Sequence, residues 1–222
     1  MTQMSQVEFD ALKKAAEGGD GNVQNELARH YWFGKIVEKD SDKAIELWSK
    51  AWQKGDPLGA LNLGMAYYSD KGANKDFAKA IDWWKKAAQK GDSRSCYFLG
   101  RMCFEGDGVE EDFAKAVEWW TKGAECGDAI CMAKLGKAFY FGQGVPKDEA
   151  KAVEWWTKAA ESLARAKFRV SADQDAFPAQ LALGLAYHKG DGVPKDEAKA
   201  VEIWSKVDVF WPKAFVGKWK RR

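Results

Sequence analysis

The chain has 222 residues, of which 46% are hydrophobic and 31% are charged, a balance typical of a folded globular protein and not of a disordered one. Its formal net charge is +2, from 35 basic and 33 acidic side chains, so no strong overall field would attract nucleic acid or an anionic membrane. No stretch approaches the roughly 20 apolar residues that a membrane-spanning helix requires.

The first residues of the chain, MTQMSQVEFDALKK, lack the basic segment and apolar run of a secretory signal. We therefore expect a cytoplasmic protein with reduced thiols at its four cysteines, Cys96, Cys103, Cys126 and Cys131. Residues 6–17 have a helical pattern, and Lys13 to Ala16 match Lys85 to Ala88 further along the chain. We predict that residues 1–20 form an N-terminal capping helix.

Several columns of residues recur every 36 positions along the chain. One is a tryptophan column, Trp48, Trp84, Trp120 and Trp156. The interval then lengthens once to 48. The alignment across this longer gap is fixed by two nearly identical segments, VPKDEAKAVEWWTK (145–158) and VPKDEAKAVEIWSK (193–206). The columns predict five repeats, at residues 21–55, 56–91, 92–127, 128–177 and 178–211, the fourth of which carries a 12-residue insertion.

Each repeat has the pattern of two helices. The first helix carries a leucine, usually a glycine directly after it, and an aromatic or similar residue one turn beyond the leucine. A Gly-x-Gly-Val turn follows in three repeats, and then an aspartate suited to cap the second helix. The second helix has alanine, tryptophan and alanine at i, i+4 and i+7, which form one apolar stripe. We expect the second helix to approach closely at the glycine column.

A single hairpin of this kind cannot bury its apolar face, whereas stacked hairpins bury one another. Two adjacent tryptophan columns supply much of that area: Trp83, Trp119 and Trp155, and Trp48, Trp84, Trp120, Trp156 and Trp204. We therefore predict an all-α stack of helix-turn-helix repeats, one domain over residues 1–222, with these tryptophans in the core.

The C-terminal end of the repeat array is also predicted to be covered by a capping helix. Residues 212–222, rich in lysine and arginine, are expected to form a C-terminal capping helix. The insertion, within residues 162–177, predicts a lengthened second helix, a loop near 171–175 and a new helix opened by Pro178.

The complete pattern, leucine-glycine-(x)2-aromatic, Gly-x-Gly-Val-(x)2-Asp and alanine-(x)3-aromatic-(x)2-alanine, resembles the Sel1-like repeat, a relative of the tetratricopeptide repeat with a longer internal turn. The resemblance covers residues 21 to about 207. Ala28 in place of the glycine in the first repeat, and Asp70 in place of the first turn glycine in the second, depart from the pattern. The resemblance implies a right-handed αα superhelical solenoid and an adaptor that holds other proteins together without chemistry of its own.

Residues suited to chemistry are few. His30 and His188 occupy repeat columns without an evident carboxylate or cysteine partner, and the cysteines form no Cys-x-x-Cys pair. The Gly-x-Gly turns lack the lysine and hydroxyl residue of a phosphate loop. We predict no catalytic residue, no metal site and no cofactor.

Two alternative functions stay open. A cysteine-rich branch of the family is described as β-lactamase-like, which suggests an antibiotic-hydrolysing or cell-wall-related enzyme, although the chain lacks Ser-x-x-Lys and Lys-Thr-Gly motifs. The basic tail from Lys218 to Arg222 suggests binding to nucleic acid or an acidic surface.

The resemblance also implies where a partner binds. In tetratricopeptide relatives the ligand-facing positions lie on the inner, concave side, three before the glycine column and one, four and five after it. Carried onto this chain, they are Asn25, Arg29, Trp32, Phe33, Leu61, Met65, Tyr68, Tyr97, Arg101, Phe104, Lys137, Tyr140 and His188, with Glu105, Phe141 and Leu185 among the remaining members.

This set mixes aromatic and cationic side chains, which suits a peptide with apolar side chains and a carboxylate or acidic residue. The aromatic residues four after the glycine recur in most repeats, so they are equally read as packing residues. We predict a monomeric scaffold that binds a protein or peptide in a concave groove, does not insert into a membrane and does not have nucleic acid as its partner.

Overall fold

The computed structural model describes residues 5–69, 75–165 and 177–205, and over these ranges its regular structure is entirely α-helical. The helices are α1 (Gln6–Glu17), α2 (Gly21–Phe33), α3 (Ser41–Gln53), α4 (Pro57–Tyr68), α5 (Phe77–Gln89), α6 (Ser93–Glu105), α7 (Phe113–Glu125), α8 (Ala129–Phe141), α9 (Glu149–Arg165), α10 (Phe177–Lys189) and α11 (Glu197–Ser205).

The chain forms two compact units, residues 1–99 and residues 100–222, whose boundary falls inside α6. In the first unit α1 packs on α2, the pairs α2/α3 and α4/α5 are hairpins, and α3 contacts α4. In the second unit α7 packs on α8, the pairs α8/α9 and α10/α11 are hairpins, and α9 contacts α10. Within each unit successive hairpins are therefore stacked, which confirms the predicted all-α solenoid class.

Two aspartates fix the helix starts in each of the first four repeats. The aspartate before each second helix accepts a hydrogen bond from the backbone N–H three residues on, at 2.9–3.0 Å. These residues are Asp40, Asp76, Asp112, Asp148 and Asp196, and the predicted N-caps are confirmed. The aspartate of the recurring Gly-Asp dipeptide caps the first helices in the same way, as Asp128 does through the N–H of Cys131 at 2.8 Å.

In four repeats a tryptophan of the second helix lies against the glycine of its own first helix. A Cβ added to Gly64, Gly136 or Gly184 would lie only 2.1–2.3 Å from the indole Nε1 of that tryptophan. The indole N–H of Trp84, Trp156 and Trp204 donates to the carbonyl oxygen of Leu61, Ala133 and Leu181, respectively, at 3.2–3.4 Å. The predicted close approach at the glycine column is therefore made by an indole ring.

The two tryptophan columns differ in burial. Trp48, Trp84, Trp120 and Trp156 are at most 5% exposed. Trp83, Trp119 and Trp155 are only half-buried, and a lysine three residues on lies over each ring, with Nζ 4.0–4.4 Å from the ring centroid. The prediction of a core position is thus wrong for this column, because a residue next to the buried tryptophan is rotated about 100° around the helix. Trp204 is also half-buried.

The Gly-x-Gly turns are shaped by packing between repeats. Gly142 ends α8 in the left-handed region, with φ +70°, and Gly144 follows with φ +73°. A Cβ on Gly144 would lie 2.2 Å from the backbone oxygen of Phe113 at the start of α7, and one on Gly192 would lie 2.3 Å from the backbone of Glu149 at the start of α9. The second glycine therefore lets each turn rest on the preceding second helix, and the turn has a structural role.

Some predictions lie outside the described residues: the capping helix at 212–222, the basic tail, the loop near 171–175 and the turn at Asp70. The lengthened second helix of the fourth repeat is present as far as Arg165, since α9 has 17 residues where α7 has 13. The four cysteines are thiols in the structure. In the described ranges no helix combines the length and the apolar composition needed to cross a bilayer.

Candidate partner-binding face

The predicted partner-binding residues fall into three groups by burial. Those three positions before the glycine column are inside the protein: Asn25, Leu61 and Tyr97 are 5%, 2% and 7% exposed. Asn25 accepts a hydrogen bond from the side-chain amide of Asn62, at 2.7 Å, through its Oδ1 atom. A partner on the surface would not reach these three side chains, which act instead in packing.

The aromatic residues four positions after the glycine column are half-buried. Each packs on the tryptophan of its own second helix, with ring centroids 5.4–6.2 Å apart. These residues are Trp32, Tyr68, Phe104, Tyr140 and His188. Of the two roles left open by the sequence, packing is therefore observed, while part of each ring still faces solvent.

Apart from Arg101, which is half-buried, the predicted residues one and five positions after the glycine column are exposed. Arg29 and Lys137 are exposed, and Met65 is 44% exposed. Phe33 is 59% exposed and Phe141 60%. Aromatic side chains so open to water have a solvation cost that a bound partner would remove.

A cleft of about 120 Å³ opens on this face in the second unit. The end of α6 contributes Arg101, Phe104 and Glu105, and α8 contributes Lys134, Lys137 and Ala138. The structure thus brings together Arg101, Phe104 and Lys137, all of which the sequence had indicated.

Two further residues of the cleft were missed by the sequence analysis. Lys134 lies three residues before Lys137 on α8, so the spacing of one helical turn could have indicated it. Gln143 is the middle residue of a Gly-x-Gly turn and approaches the cleft only because that turn folds back beside α8. Trp120 of α7 forms part of the remaining wall.

Most of the charged side chains that line the cleft are cationic. Three cationic side chains, Arg101, Lys134 and Lys137, line it together with one carboxylate, that of Glu105. The Nε atom of Arg101 lies 3.4 Å from Oε2 of Glu105, and the two side chains are 24% and 47% exposed. The Nζ atom of Lys137 lies 6.0 Å from the ring centroid of Phe104. Cationic side chains and the aromatic ring of Phe104 therefore lie side by side in the cleft.

A hydrogen bond between repeats forms at one Gly-x-Gly turn, whereas the equivalent turn has the acceptor but lacks the donor. The hydroxyl of Tyr140 donates to Oδ2 of Asp191 at 2.7 Å, and this hydrogen bond raises the pKa of Tyr140. Phe104 occupies the position of Tyr140 one repeat earlier and has no hydroxyl. Gln143, the equivalent of Asp191, has a buried side-chain oxygen with no hydrogen-bond partner. This acceptor belongs to the wall of the cleft.

Most of the chain matches the model of one protein family. Five segments match the model of the Sel1 repeat, at residues 22–56, 57–92, 93–128, 129–162 and 178–206. The chain belongs to the Sel1 repeat family. The resemblance recognised in the sequence is confirmed, and the cleft lies within the third and fourth Sel1 repeats.

Solved structures show the same relationship. A Sel1 repeat protein from Oxalobacter formigenes is 28% identical with a TM-score of 0.73, over 90% of this chain and 77% of that one. A protective antigen of uropathogenic Escherichia coli with an SLR fold is 31% identical with a TM-score of 0.65, over 89% of this chain but only 47% of the antigen.

The yeast protein Tom70 shares the fold alone, at 13% identity and a TM-score of 0.59, over 99% of this chain and 44% of Tom70. Comparison with curated proteins found no match.

Proposed function

We propose that this Sel1 repeat protein is a non-enzymatic scaffold that binds a segment of another protein along its first helices. The observation that carries the proposal is the recurrence of exposed apolar side chains at equivalent first-helix positions. Phe33, Met65, Phe141 and Leu185 are 40–60% exposed. They come from four different repeats and occupy only the positions one and five after the glycine column.

The second helices differ in this respect. Their largest apolar side chains are the tryptophans. In one column these are buried, in the next a lysine lies over each ring, and Trp52 and Trp204 are half-buried. In the described residues, only Val7 and Val109 are large exposed apolar side chains elsewhere. Since recurring exposed apolar positions are typical of protein-binding surfaces, the first-helix face of each unit is favoured.

The helices of the proposed binding face are already ordered in the absence of a partner. In the first four repeats aspartate caps set their starts, and in the last four a tryptophan of the second helix packs on the first helix. A preorganised surface loses little conformational entropy on binding, so more of the contact energy appears as affinity. The family and its tetratricopeptide relatives typically act as interaction scaffolds. The enzyme and nucleic-acid alternatives are not favoured by the comparisons.

Site-specific photocrosslinking tests the proposal. A benzoylphenylalanine at position 141 or 185 should crosslink to a partner protein in cells. The same group at position 154, an exposed site on the second helix α9, should not. Equal crosslinking from all three positions, or none from 141 and 185, would contradict the proposed face.

The identified partner then permits a binding measurement. Phe141→Ser should weaken partner binding at least about tenfold, as expected for a central apolar anchor, while Glu154→Gln should leave it unchanged. Binding should be stoichiometric and the partner should be recovered chemically intact. Catalytic turnover of the partner would contradict a scaffold role.

A further inference from the structure

We propose that the cleft formed by α6 and α8 binds the carboxamide of an asparagine or glutamine side chain in the partner segment. This inference rests on the proposed function, since it names a side chain of the segment that the first-helix face would bind. Two observations carry it: a hydrogen bond between repeats that is lost at this cleft, and two buried polar atoms of opposite type in the cleft wall.

The cleft lies where a contact between repeats has changed both of its side chains. One repeat later the hydroxyl of Tyr140 donates to Asp191 at 2.7 Å. The equivalent residues at the cleft are Phe104 and Gln143, which are 39 residues apart and not 51 because the fourth repeat carries the 12-residue insertion. The hydroxyl donor is therefore absent, the carboxylate is replaced by an uncharged amide, and both residues line the cleft.

Two residues of the cleft wall have a buried polar atom without a hydrogen-bond partner among the described residues. One atom is Nε1 of Trp120, a donor on a side chain that is 3% exposed. The equivalent indoles of Trp84, Trp156 and Trp204 donate to backbone carbonyl oxygens at 3.2–3.4 Å. The other atom is Oε1 of Gln143, an acceptor. Because an unpaired buried polar atom is unfavourable, a ligand that pairs both atoms gains affinity.

A carboxamide is the functional group that supplies both partners. It carries N–H donors and a carbonyl acceptor, whereas a carboxylate carries only acceptors and an ammonium group only donors. Its oxygen would accept from the indole N–H of Trp120, and its N–H would donate to Gln143. The side chain of Gln143 is half-buried and belongs to a turn, so its terminal amide can rotate to meet the ligand.

The cations of the cleft do not require an anion. Nε of Arg101 lies 3.4 Å from Oε2 of Glu105, and both Arg101 and Lys134 have further interactions within the protein. A neutral ligand leaves these interactions in place. A carboxylate would compete with Glu105 and would also place an acceptor beside the acceptor of Gln143.

The size of the cleft also favours one side chain. At about 120 Å³ it is well below the roughly 300–1,000 Å³ of sites for drug-sized molecules. A main-chain amide continues into the chain on both sides, so it enters a recess of this size less readily than the end of a side chain does. An asparagine or glutamine of a peptide segment is therefore the occupant that the cleft fits.

Three defined peptide pools test the choice of ligand. Each is a fluorescein-labelled nonapeptide pool with apolar flanks, and the central position carries asparagine or glutamine, aspartate or glutamate, or leucine or methionine. Fluorescence anisotropy should show that the amide pool binds at least about fivefold more tightly than either of the other pools. Glu154→Gln, at an exposed site on α9, should leave all three affinities unchanged. Tighter binding of the acidic pool, equal affinities, or no binding of the amide pool would overturn the proposal.

Two variants test the acceptor. Gln143→Leu keeps the backbone hydrogen bond of the turn, from the N–H of residue 143 to the carbonyl oxygen of Ala138 at 2.9 Å, and should abolish the preference for the amide pool. In Phe104→Tyr the new hydroxyl should donate to Gln143, as Tyr140 donates to Asp191. This variant should have a higher melting temperature and a weaker preference for the amide pool, since the ligand loses its acceptor. A stabilised Phe104→Tyr protein that keeps the full preference would overturn the assignment of Gln143.

The indole of Trp120 reports on the donor. Its Nε1–H resonance in a ¹H–¹⁵N correlation spectrum should shift when the tightest-binding peptide of the amide pool is added, because the proton gains an acceptor. The indole resonance of Trp84, whose N–H donates to the carbonyl oxygen of Leu61 at 3.2 Å, should not move. A Trp120 resonance that stays in place at saturation would show that the indole does not contact the ligand.

The two proposals fail in different ways. If a partner crosslinks at positions 141 and 185 but the amide pool has no advantage over the other pools, the cleft chemistry is wrong and the scaffold proposal stands. If crosslinking gives no partner, the proposed function itself fails, whichever pool binds.

Discussion

At the scale of single residues, the fold depends on pairs of a glycine and a tryptophan. A glycine inside a helix costs about 1 kcal/mol relative to alanine. Burial of an indole, about 150–250 Å² at about 25 cal/mol/Å², contributes roughly 4–6 kcal/mol. Because Trp156 is 5% exposed and lies against Gly136, the second term exceeds the first, and the glycine stabilises the repeat despite its poor helix propensity.

Gly136→Ala should therefore destabilise the protein. The new Cβ would lie 2.3 Å from Nε1 of Trp156, so the indole must shift out of its packed position. We expect a loss of about 1–3 kcal/mol in the free energy of unfolding, measured by urea denaturation. Lys137→Ala, at the exposed neighbouring position, should have little effect. A gain of about 1 kcal/mol for Gly136→Ala, as helix propensity alone predicts, would show that the contact with Trp156 is unimportant.

At the scale of helices, each second helix begins with the same device. Its capping aspartate is followed three residues later by a lysine, whose backbone N–H donates to the carboxylate. In four repeats the lysine ammonium also lies over an aromatic ring of the first helix, with Nζ 4.3–5.5 Å from the ring centroid. One aspartate-lysine pair thus starts the second helix and ties it to the first.

The caps predict a pH dependence of stability. The backbone N–H of Lys79 lowers the pKa of Asp76, that of Lys151 lowers the pKa of Asp148, and the side chain of Lys115 is the main cause of the lowered pKa of Asp112. Because these pKa values are lower in the folded than in the unfolded chain, their contribution is complete above about pH 4 and is lost as the pH falls through the folded values.

The melting temperature should accordingly fall as the pH is lowered below about 4. In a triple variant with asparagine at Asp76, Asp112 and Asp148, the caps remain but no longer titrate, so this fall should be smaller. The matched control replaces another column of exposed acids, Asp82, Glu118 and Glu154, with amides. A pH profile that changes equally in both triple variants would contradict a specific role of the caps.

At the scale of the whole molecule, stability is expected to be local. Within each unit a hairpin contacts mainly its neighbours along the chain. The first unit begins with α1, where Phe9 is 2% exposed and packs edge to face on Tyr31 of α2, with ring centroids 5.9 Å apart. In an array with only nearest-neighbour contacts, damage at one end should loosen that end first.

Phe9→Ala tests this expectation. The cavity should cost about 3–5 kcal/mol of local stability. Hydrogen exchange followed by mass spectrometry should show faster exchange in α1 and α2 and no change in α8 and α10 of the second unit. Val7→Ala, at a position that is 79% exposed on the same helix, should change neither. Faster exchange throughout the chain would instead indicate a single cooperative unit.

The sequence predicted those features of the candidate site that depend on the repeat register. Arg101, Phe104 and Lys137 follow from their distance to the glycine column, and the structure places all three in one cleft. The repeat register does not predict which side chains are buried, however. Tyr97 satisfies the same rule as Arg101 and lies one helical turn from it on the same side of α6, yet it is buried.

The sequence by itself determined the helical hairpins, their caps and turns, and the glycine and tryptophan columns. Each of these features depends on residues close together in the chain. Because the features recur at a fixed interval, they can be recognised from the sequence alone. Only the tertiary structure decided that one tryptophan column stays half-buried, and that Gln143 reaches the cleft with an unused acceptor. These features depend on which side chains of neighbouring helices lie next to a given residue. The packing of successive hairpins determines those neighbours, and the local spacing of residues in the sequence does not.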